Sequence, residues 1–383
     1  MTHFLTLNDV NPKGKRVLVR LDLNVPIQNG KVTDITRLER SLPTLKELTS
    51  KGAQVIVMSH LGRPQGVDPS LTLTPIAEAL QQELAPIPVH FSNHPHDIKD
   101  GEILLLENIR FHGGEEKNDP VFVKEMSAWG DIYVNDAFST AHRAHASTEG
   151  IAHLLPSYAG RLMEEELNAL QMALETPKRP LLAIVGGAKI STKLPLLENL
   201  LKRVDGLVVG GAMANTLLSA KGFPIGGSLY EPELKEMAME ILNSEKEIIL
   251  PFDVVVSNNF HKPGISTRLI KDVLPTDKIF DIGPATVNHI YHKMKTSHTL
   301  LWNGPLGVFE TPPFNRGTIC VAEGAAHLTR EGSLITVAGG GDTVAALSQA
   351  GVLDAFTYVS TAGGAFLEWL EGKTLPGVLA LMK

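Results

Sequence analysis

Two Rossmann-like, doubly wound α/β domains, each with a mainly parallel sheet and separated by a hinged cleft, are what this sequence predicts. The chain has 383 residues, more than one hydrophobic core usually supports. Short runs rich in Val, Ile and Leu recur along it, each giving way to glycines or polar residues and then to a stretch of helical period. Such continuous apolar runs suit parallel strands covered by helices on both faces.

The strands begin near Val17, Gln54, Ile103 and Asp131, and then near Leu181, Gly206, Ile248, Lys278, Thr299, Leu334 and Tyr358. Helical patterns stand between them. TRLERSLPTLKELTS, Thr36 to Ser50, stops at Gly52; Thr74 to Ala85 opens with Pro75 in its first turn, and Glu231 to Glu245 with Pro232. The longest pattern, Gly160 to Glu175, is ended by Pro177 and Pro180 before a second series of strands starts. Domains are therefore expected at 1–166 and 167–366, joined by a helix at about 160–175, with a tail at 367–383 returning to the first.

Composition excludes several classes. The chain is 43% hydrophobic and 20% charged, close to the globular average. Its net charge of −7 divides as −5 over residues 1–165 (16 basic, 21 acidic) and −2 beyond, so no nucleic-acid partner is expected. No run of about 18 apolar residues occurs, and no membrane partner is expected. The single cysteine, Cys320, rules out an internal disulfide, and the N-terminus lacks a leader pattern; a cytoplasmic location is expected.

Ligands of open parallel sheets bind beyond the carboxyl ends of the strands. In VLVRLDLNVP the odd positions are apolar while Arg20, Asp22 and Asn24 share the other parity, which predicts three polar groups on one strand face. QVIVMS runs into HLGRPQG with His60 and Arg63, ILLLENIRFHGG carries Arg110 and His112, and DIYVNDAFSTAHRAHAS carries His142, Arg143 and His145. Arg37 opens the helix after the first strand. One arginine after a strand is ordinarily solvated surface; four strand ends delivering Arg or His within an acidic half predict a pocket for a small polyanion. Asp22 and Asn24 would meet its hydroxyls, so a phosphorylated hydroxy-acid fits. His94, His96 and Asp97 stand close together, but no further ligands follow with structural-site spacing, and no zinc is expected.

The second half ends its strands in glycines: Gly186 and Gly187, Gly210 and Gly211, Gly339 to Gly341, Gly363 and Gly364. Tight turns alone account for any one of these, but poorly for four. Glycine lets backbone N–H groups approach an anion, and a helix starting there adds its dipole. Lys189 and Lys193 supply cations, and Asp342 a carboxylate for Mg²⁺. There is no GxxxxGK[ST], and Val344 stands where GxGxxG needs its third glycine, so neither a P-loop enzyme nor an NAD-dependent dehydrogenase is expected.

The motifs VRLDLNVP, SHLGRP, LLENIRFH, VNDAFSTAHRAHAS, VGGAKISTK, LWNGPLGVFE, AGGGDT and STAGGAFLEWLEGKTLPG, in this order, resemble phosphoglycerate kinases over essentially the whole chain. The resemblance implies reversible phosphoryl transfer from 1,3-bisphosphoglycerate to ADP, with Mg²⁺ accompanying ADP or ATP, and a monomer. It implies a 3-phosphoglycerate-binding first domain, with Asp22, Leu23, Asn24, Arg37, His60, Leu61, Gly62, Arg63, Arg110 and Arg143 at the substrate, and a Mg-nucleotide-binding second domain. There Lys189, Lys193, Gly210, Gly211, Asn303, Glu310, Gly339, Gly340, Gly341, Asp342 and Thr343 would meet the nucleotide, with Glu310 at the ribose and Asp342 at the metal through the phosphates. Arg37, Lys189, Gly341 and Gly364 are the implied catalytic set. Ala212 and Ala362 replace frequent glycines, and Thr192 stands where many members have Asp. The two alanines are compatible with the fold if φ is negative there.

No general base is required, because the nucleophile is an ionised phosphate oxygen and the leaving group a carboxylate. Direct transfer requires the halves to approach by bending near Gly160–Glu175. Small-angle scattering should register compaction when both ligands bind, and unchanged dimensions would refute bending. A nucleotide-binding protein without turnover is the alternative class; it would lack the cationic pair Arg37 and Lys189.

Overall fold

The structure, a computed structural model, describes residues 4–259 and 264–382. The chain forms two compact units, Met1–Leu167 with Thr374–Lys383, and Asn168–Lys373.

The first unit carries strands β1 (Arg16–Leu21), β2 (Ile27–Gln28), β3 (Lys31–Val32), β4 (Gln54–Met58), β5 (Val89–Ser92), β6 (Ile103–Leu106), β7 (Ile132–Asp136) and β8 (Ser157–Ala159). Helices α1 (Thr36–Ser50), α2 (Thr74–Leu84) and α3 (Pro120–Ser127) alternate with them. Six strands form one sheet in the order β5-β6-β4-β1-β7-β8, every neighbouring pair parallel. The strand order reverses at β1, so a crevice opens beyond the ends of β1, β4 and β7.

Both faces of this sheet are buried, and β1 shows how its sequence achieves that. Val17, Val19 and Leu21 join one apolar cluster with Val55, Val57 and Ile103, while Leu18 joins a second with Ile56, Met58 and Leu104. Leu38, Leu42, Leu45 and Leu48 of α1 recur at helical spacing and cover the first face. The predicted polar face on β1 therefore does not exist: Arg20 is wholly buried, and Asp22 and Asn24 lie past the strand's end.

Helix α4 (Arg161–Leu170) starts in the first unit and passes into a π-helical turn at Gln171–Glu175. The second unit holds β9 (Leu181–Val185), β10 (Gly206–Val209), β11 (Glu247–Ile249), β12 (Asp253–Ser257), β13 (Ser266–Leu269), β14 (Lys278–Ile282), β15 (Thr299–Asn303), β16 (Ile335–Gly339) and β17 (Tyr358–Ser360). Its helices are α5 (Leu194–Leu201), α6 (Gly211–Ala220), α7 (Lys235–Leu242), α8 (Pro284–Lys295), α9 (Arg316–Arg330), α10 (Gly341–Gln349) and α11 (Gly364–Leu370). The main sheet runs β11-β10-β9-β15-β16-β17, all parallel, and reverses order between β9 and β15.

Three local expectations need correction. The strand at Lys278 is not in the parallel series; β13-β12-β14 form a separate antiparallel sheet, which the short connections between these strands permit and a parallel pairing would not. The helix expected over Glu231–Glu245 is a 3₁₀ turn, Pro232–Leu234, followed by α7. The segment rejoining the first unit begins at Thr374 and not at 367, because Phe366 and Leu370 are buried and Asn199 Nδ2 donates to the Leu370 carbonyl at 2.7 Å. Helix α12 (Pro376–Leu379) then packs on the first unit, where the Gly377 N–H donates to the Ala141 carbonyl at 2.9 Å.

Candidate functional site

In the first unit the strand ends converge on one peptide, that of Gly62. Its N–H donates to Asn24 Oδ1 at 3.0 Å, and its carbonyl accepts from Arg110 Nη1 at 2.6 Å. Gly62 has φ +63°, and a Cβ there would meet Leu71 at 3.0 Å, so glycine is favoured. Asn24 thus spends its carbonyl on the turn and keeps its amide N–H₂ for a ligand. Leu23 and Leu61 are buried and offer only backbone groups; the Leu23 N–H donates to Ser59 Oγ and the Leu61 carbonyl accepts from Asn108 Nδ2.

Asp22 is oriented by partners within the protein. Arg37 Nη1 lies 2.5 Å from its Oδ2, Ser139 donates to the same oxygen, and the Asn24 N–H donates to Oδ1 at 3.1 Å. Burial raises its pKa, but the Arg37 charge and these donors outweigh burial and hold the carboxyl below its ordinary value. The carboxylate therefore steadies Arg37, whose side chain remains 39% exposed in the first turn of α1.

His60 is buried, and desolvation followed by the charge of Arg20 pushes its imidazole well below the ordinary value, so the ring is neutral. His145 is likewise neutral at pH 7: burial, with Arg110 next, brings it to about 4, so its 3.9 Å approach to Glu115 is not an ion pair. Arg63 is exposed, and Arg143 is half-buried with Nε on the His142 ring at 3.3 Å. Spacing missed Arg20 as a buried organiser, because its partners Ser147 and His60 come from other strand ends.

In the second unit the glycine turns after β9, β15 and β16 interlock. The Gly186 N–H donates to the Asn303 carbonyl at 3.0 Å, and a Cβ on Gly186 would stand 1.8 Å from the Pro305 carbonyl oxygen. Gly340, at φ +99°, has room only for hydrogen beside Asn303 Nδ2. Asn303 bridges the site: Nδ2 donates to the Gly339 carbonyl at 2.8 Å and Oδ1 accepts from Lys193 Nζ at 2.7 Å. Thr343 Oγ1 accepts from the Gly304 N–H at 2.7 Å.

The lysines precede α5 and do not lie in its first turn; Ser191–Lys193 is a 3₁₀ turn. Lys193 is committed inward, donating also to the Gly186 carbonyl at 2.7 Å, and burial lowers it to about 8 against the opposing charge of Asp342. Lys189 is exposed. Thr192 Oγ1 donates to the Lys189 carbonyl at 3.0 Å and so tightens this turn.

Beside these turns lies a cavity of about 700 Å³. Gly187, Gly211, Glu310 and Asp342 reach it, while Leu229, Tyr230, Phe280, Leu306 and Val308 give it an apolar wall. Lys189, Lys193, Asn303 and Gly339–Gly341 occupy the adjoining turns without lining it. Sequence reasoning missed the apolar wall, whose residues carry no signal distinguishing them from core. Gly364 stands apart at the start of α11, after Gly363 at φ +56°. Neither Ala212 nor Ala362 has positive φ, so their methyl groups are tolerated.

The size of the cavity and the glycine turns suit a nucleotide, and comparison with known proteins points the same way. The family model for phosphoglycerate kinase matches residues 7–373. A phosphoglycerate kinase from a Chelativorans species is 55% identical, with 100% of both chains covered, and one from Bradyrhizobium diazoefficiens is 54% identical over 99% of this chain and 98% of that one. The phosphoglycerate kinase structure from Coxiella burnetii superposes with a TM-score of 0.94 at 42% identity, covering 99% of each chain; that from Pyrococcus horikoshii gives 0.80 at 32%, covering 98% of each. This chain belongs to the phosphoglycerate kinase family.

Proposed function

We propose that the family's reaction, reversible phosphoryl transfer between 1,3-bisphosphoglycerate and ADP, is performed here by two preorganised sets of donors, one in each unit. Asn24 and Arg110 on the Gly62 peptide, with Arg37 and Arg110 acting electrostatically on His60 and Arg143 on Arg110, support an acid-phosphate site in the first unit. The cavity with Glu310 at its wall and the N-terminus of α10 beside it supports the ADP site in the second. Backbone N–H groups at Gly341, Asp342 and Thr343 would meet phosphate oxygens, and Glu310 would accept from ribose hydroxyls.

Magnesium fits this arrangement. Among the described residues no cluster of three or more His, Cys, Asp or Glu could cage a metal, but Mg²⁺ is commonly held by one carboxylate together with nucleotide phosphates. Asp342, exposed at the head of α10 and on the cavity wall, supplies that carboxylate. When bound, the ion would neutralise phosphate charge. Asp342→Asn should weaken Mg·ADP binding by on the order of tenfold or more and leave 3-phosphoglycerate binding unchanged; titration calorimetry showing equal weakening of both would remove the two-site assignment.

Lys193 adds a pH dependence. Its charge is nearly complete at pH 7, half lost near 8 and gone well above it. ADP affinity should therefore begin to fall between pH 7 and 8, by about twofold, and then fall by up to about tenfold per pH unit beyond. A Lys193→Met variant should lose that fall, and a fall that survives the substitution would assign it to another group.

A soluble monomer acting in the cytoplasm is part of the same reading. No helix among the described residues is long and apolar enough to cross a membrane.

A further inference from the structure

We propose that Arg20 is a positioning residue whose guanidinium fixes His60 as the Nε2–H tautomer, and that the buried pair Ser147 and Glu115 holds Arg20 in place for that purpose.

Arginine carries five N–H donors and no acceptor, and stays protonated in proteins. Arg20 is fully buried at the end of β1, and its guanidinium is used on three sides. Nε donates to Ser147 Oγ at 2.8 Å, Nη1 donates to the Leu21 carbonyl, and Nη2 lies 3.2 Å from His60 Nδ1. Since the guanidinium can only donate, Nδ1 must be the bare nitrogen, and the ring proton is on Nε2. Burial together with Arg20, Arg110 and Arg37 keeps the ring from taking a second proton, with Asp22 alone opposing them. Nε2 has no partner among the described residues and is not sealed from solvent. The result is a neutral imidazole presenting one fixed donor.

The support behind Arg20 is equally specified. Ser147 Oγ accepts from Arg20, so its own proton goes to Glu115 Oε1 at 2.6 Å, while the Ser147 N–H donates to Oε2 at 2.9 Å. Glu115 is 0% exposed and provides the buried counter-charge for the buried guanidinium, delivered through a hydroxyl and not by direct contact. Tyr133 donates to the Ser147 carbonyl at 2.8 Å and closes the inner side. An alternative in which Arg20 itself grips an anion leaves three buried partners unsatisfied.

That the fixed donor meets the acid-phosphate substrate rests on the pocket assignment above; the tautomer does not. The test is long-range ¹H–¹⁵N correlation of the histidine-labelled full chain at pH 7.5 without ligands, with the His60 signals assigned by their loss in His60→Gln. The expected spectrum has a bare Nδ1 and a protonated Nε2. Arg20→Lys, which loses the fork, should give a mixture of tautomers and raise KM for 3-phosphoglycerate by on the order of tenfold, with KM for ADP unchanged. Should Arg20→Lys fail to fold, Ser147→Ala keeps every charge, removes only the relay, and should also mix the tautomers. A protonated Nδ1 in the wild type, or a pure Nε2–H signal in the variants, overturns the inference. Mixed tautomers with an unchanged KM for 3-phosphoglycerate would instead overturn the pocket assignment and leave the Arg20 geometry standing.

Discussion

Arg37→Ala is expected to lower kcat by on the order of 10²–10³ while leaving ADP affinity within about twofold of wild type. The guanidinium is half-exposed, and one of its nitrogens is steadied by Asp22 while the rest of the fork remains for a ligand. A planar fork held in advance costs no reorganisation when charge redistributes over the transferred group. Removing it also leaves Asp22 as a carboxylate with only Ser139 and a backbone N–H against it, close to an incoming anion. Arg37→Lys should recover only part of the loss, because an ammonium restores the charge but not the bidentate geometry. Stopped-flow turnover at saturating substrates checks this, and an unchanged kcat would remove Arg37 from the chemistry.

Lys189→Ala is expected to cost a comparable factor, on the order of 10²–10³ in kcat. The two lysines of the turn after β9 are not equivalent, although their spacing suggests a matched pair. Lys193 donates to the Gly186 carbonyl and Asn303 Oδ1, so its ammonium holds the glycine turns together. Lys189 is exposed, and its charge acts on Glu231, whose carboxylate is already bonded to Ser191. Its ammonium is therefore available to a moving phosphoryl group, as a compact charge on a flexible stem. Lys193→Met should show the opposite signature, with a raised ADP KM and lowered thermal stability from the orphaned Asn303 and Gly186 acceptors. If the two variants had the same profile, the division of labour would be wrong.

Much of the parallel framework was legible, because Val, Ile and Leu runs that bury both faces of a sheet differ plainly from their glycine-terminated ends. The strands beginning at Gln54, Ile103, Gly206 and Thr299 start where the apolar runs do. The antiparallel β13-β12-β14 sheet was not, since its short strands carry weak periodicity and their pairing depends on connection length.

At the candidate site, Arg and His at strand ends were readable because such residues are unusual in those places. Arg20 defeated the alternation rule: a buried arginine is permitted only by Ser147 and Glu115, about a hundred residues away or more, which no local pattern reveals. Gly186 and Gly340 could be suspected from clustering, but the contacts that demand them, with Pro305 and Asn303, arise in the folded chain alone. Asn303 and Glu310 followed from family resemblance and not from spacing. The apolar cavity wall of Leu229, Tyr230, Phe280 and Val308 could not be told from ordinary core.

The assignment of the acid-phosphate to one unit and the nucleotide to the other is tested most directly by amide hydrogen exchange with each ligand added alone. With 3-phosphoglycerate, protection should rise in peptides spanning 22–24, 59–63 and 108–112, and with Mg·ADP in those spanning 186–193, 303–310 and 339–343. Protection of the glycine turns by 3-phosphoglycerate alone, or of the Gly62 region by Mg·ADP alone, would contradict it.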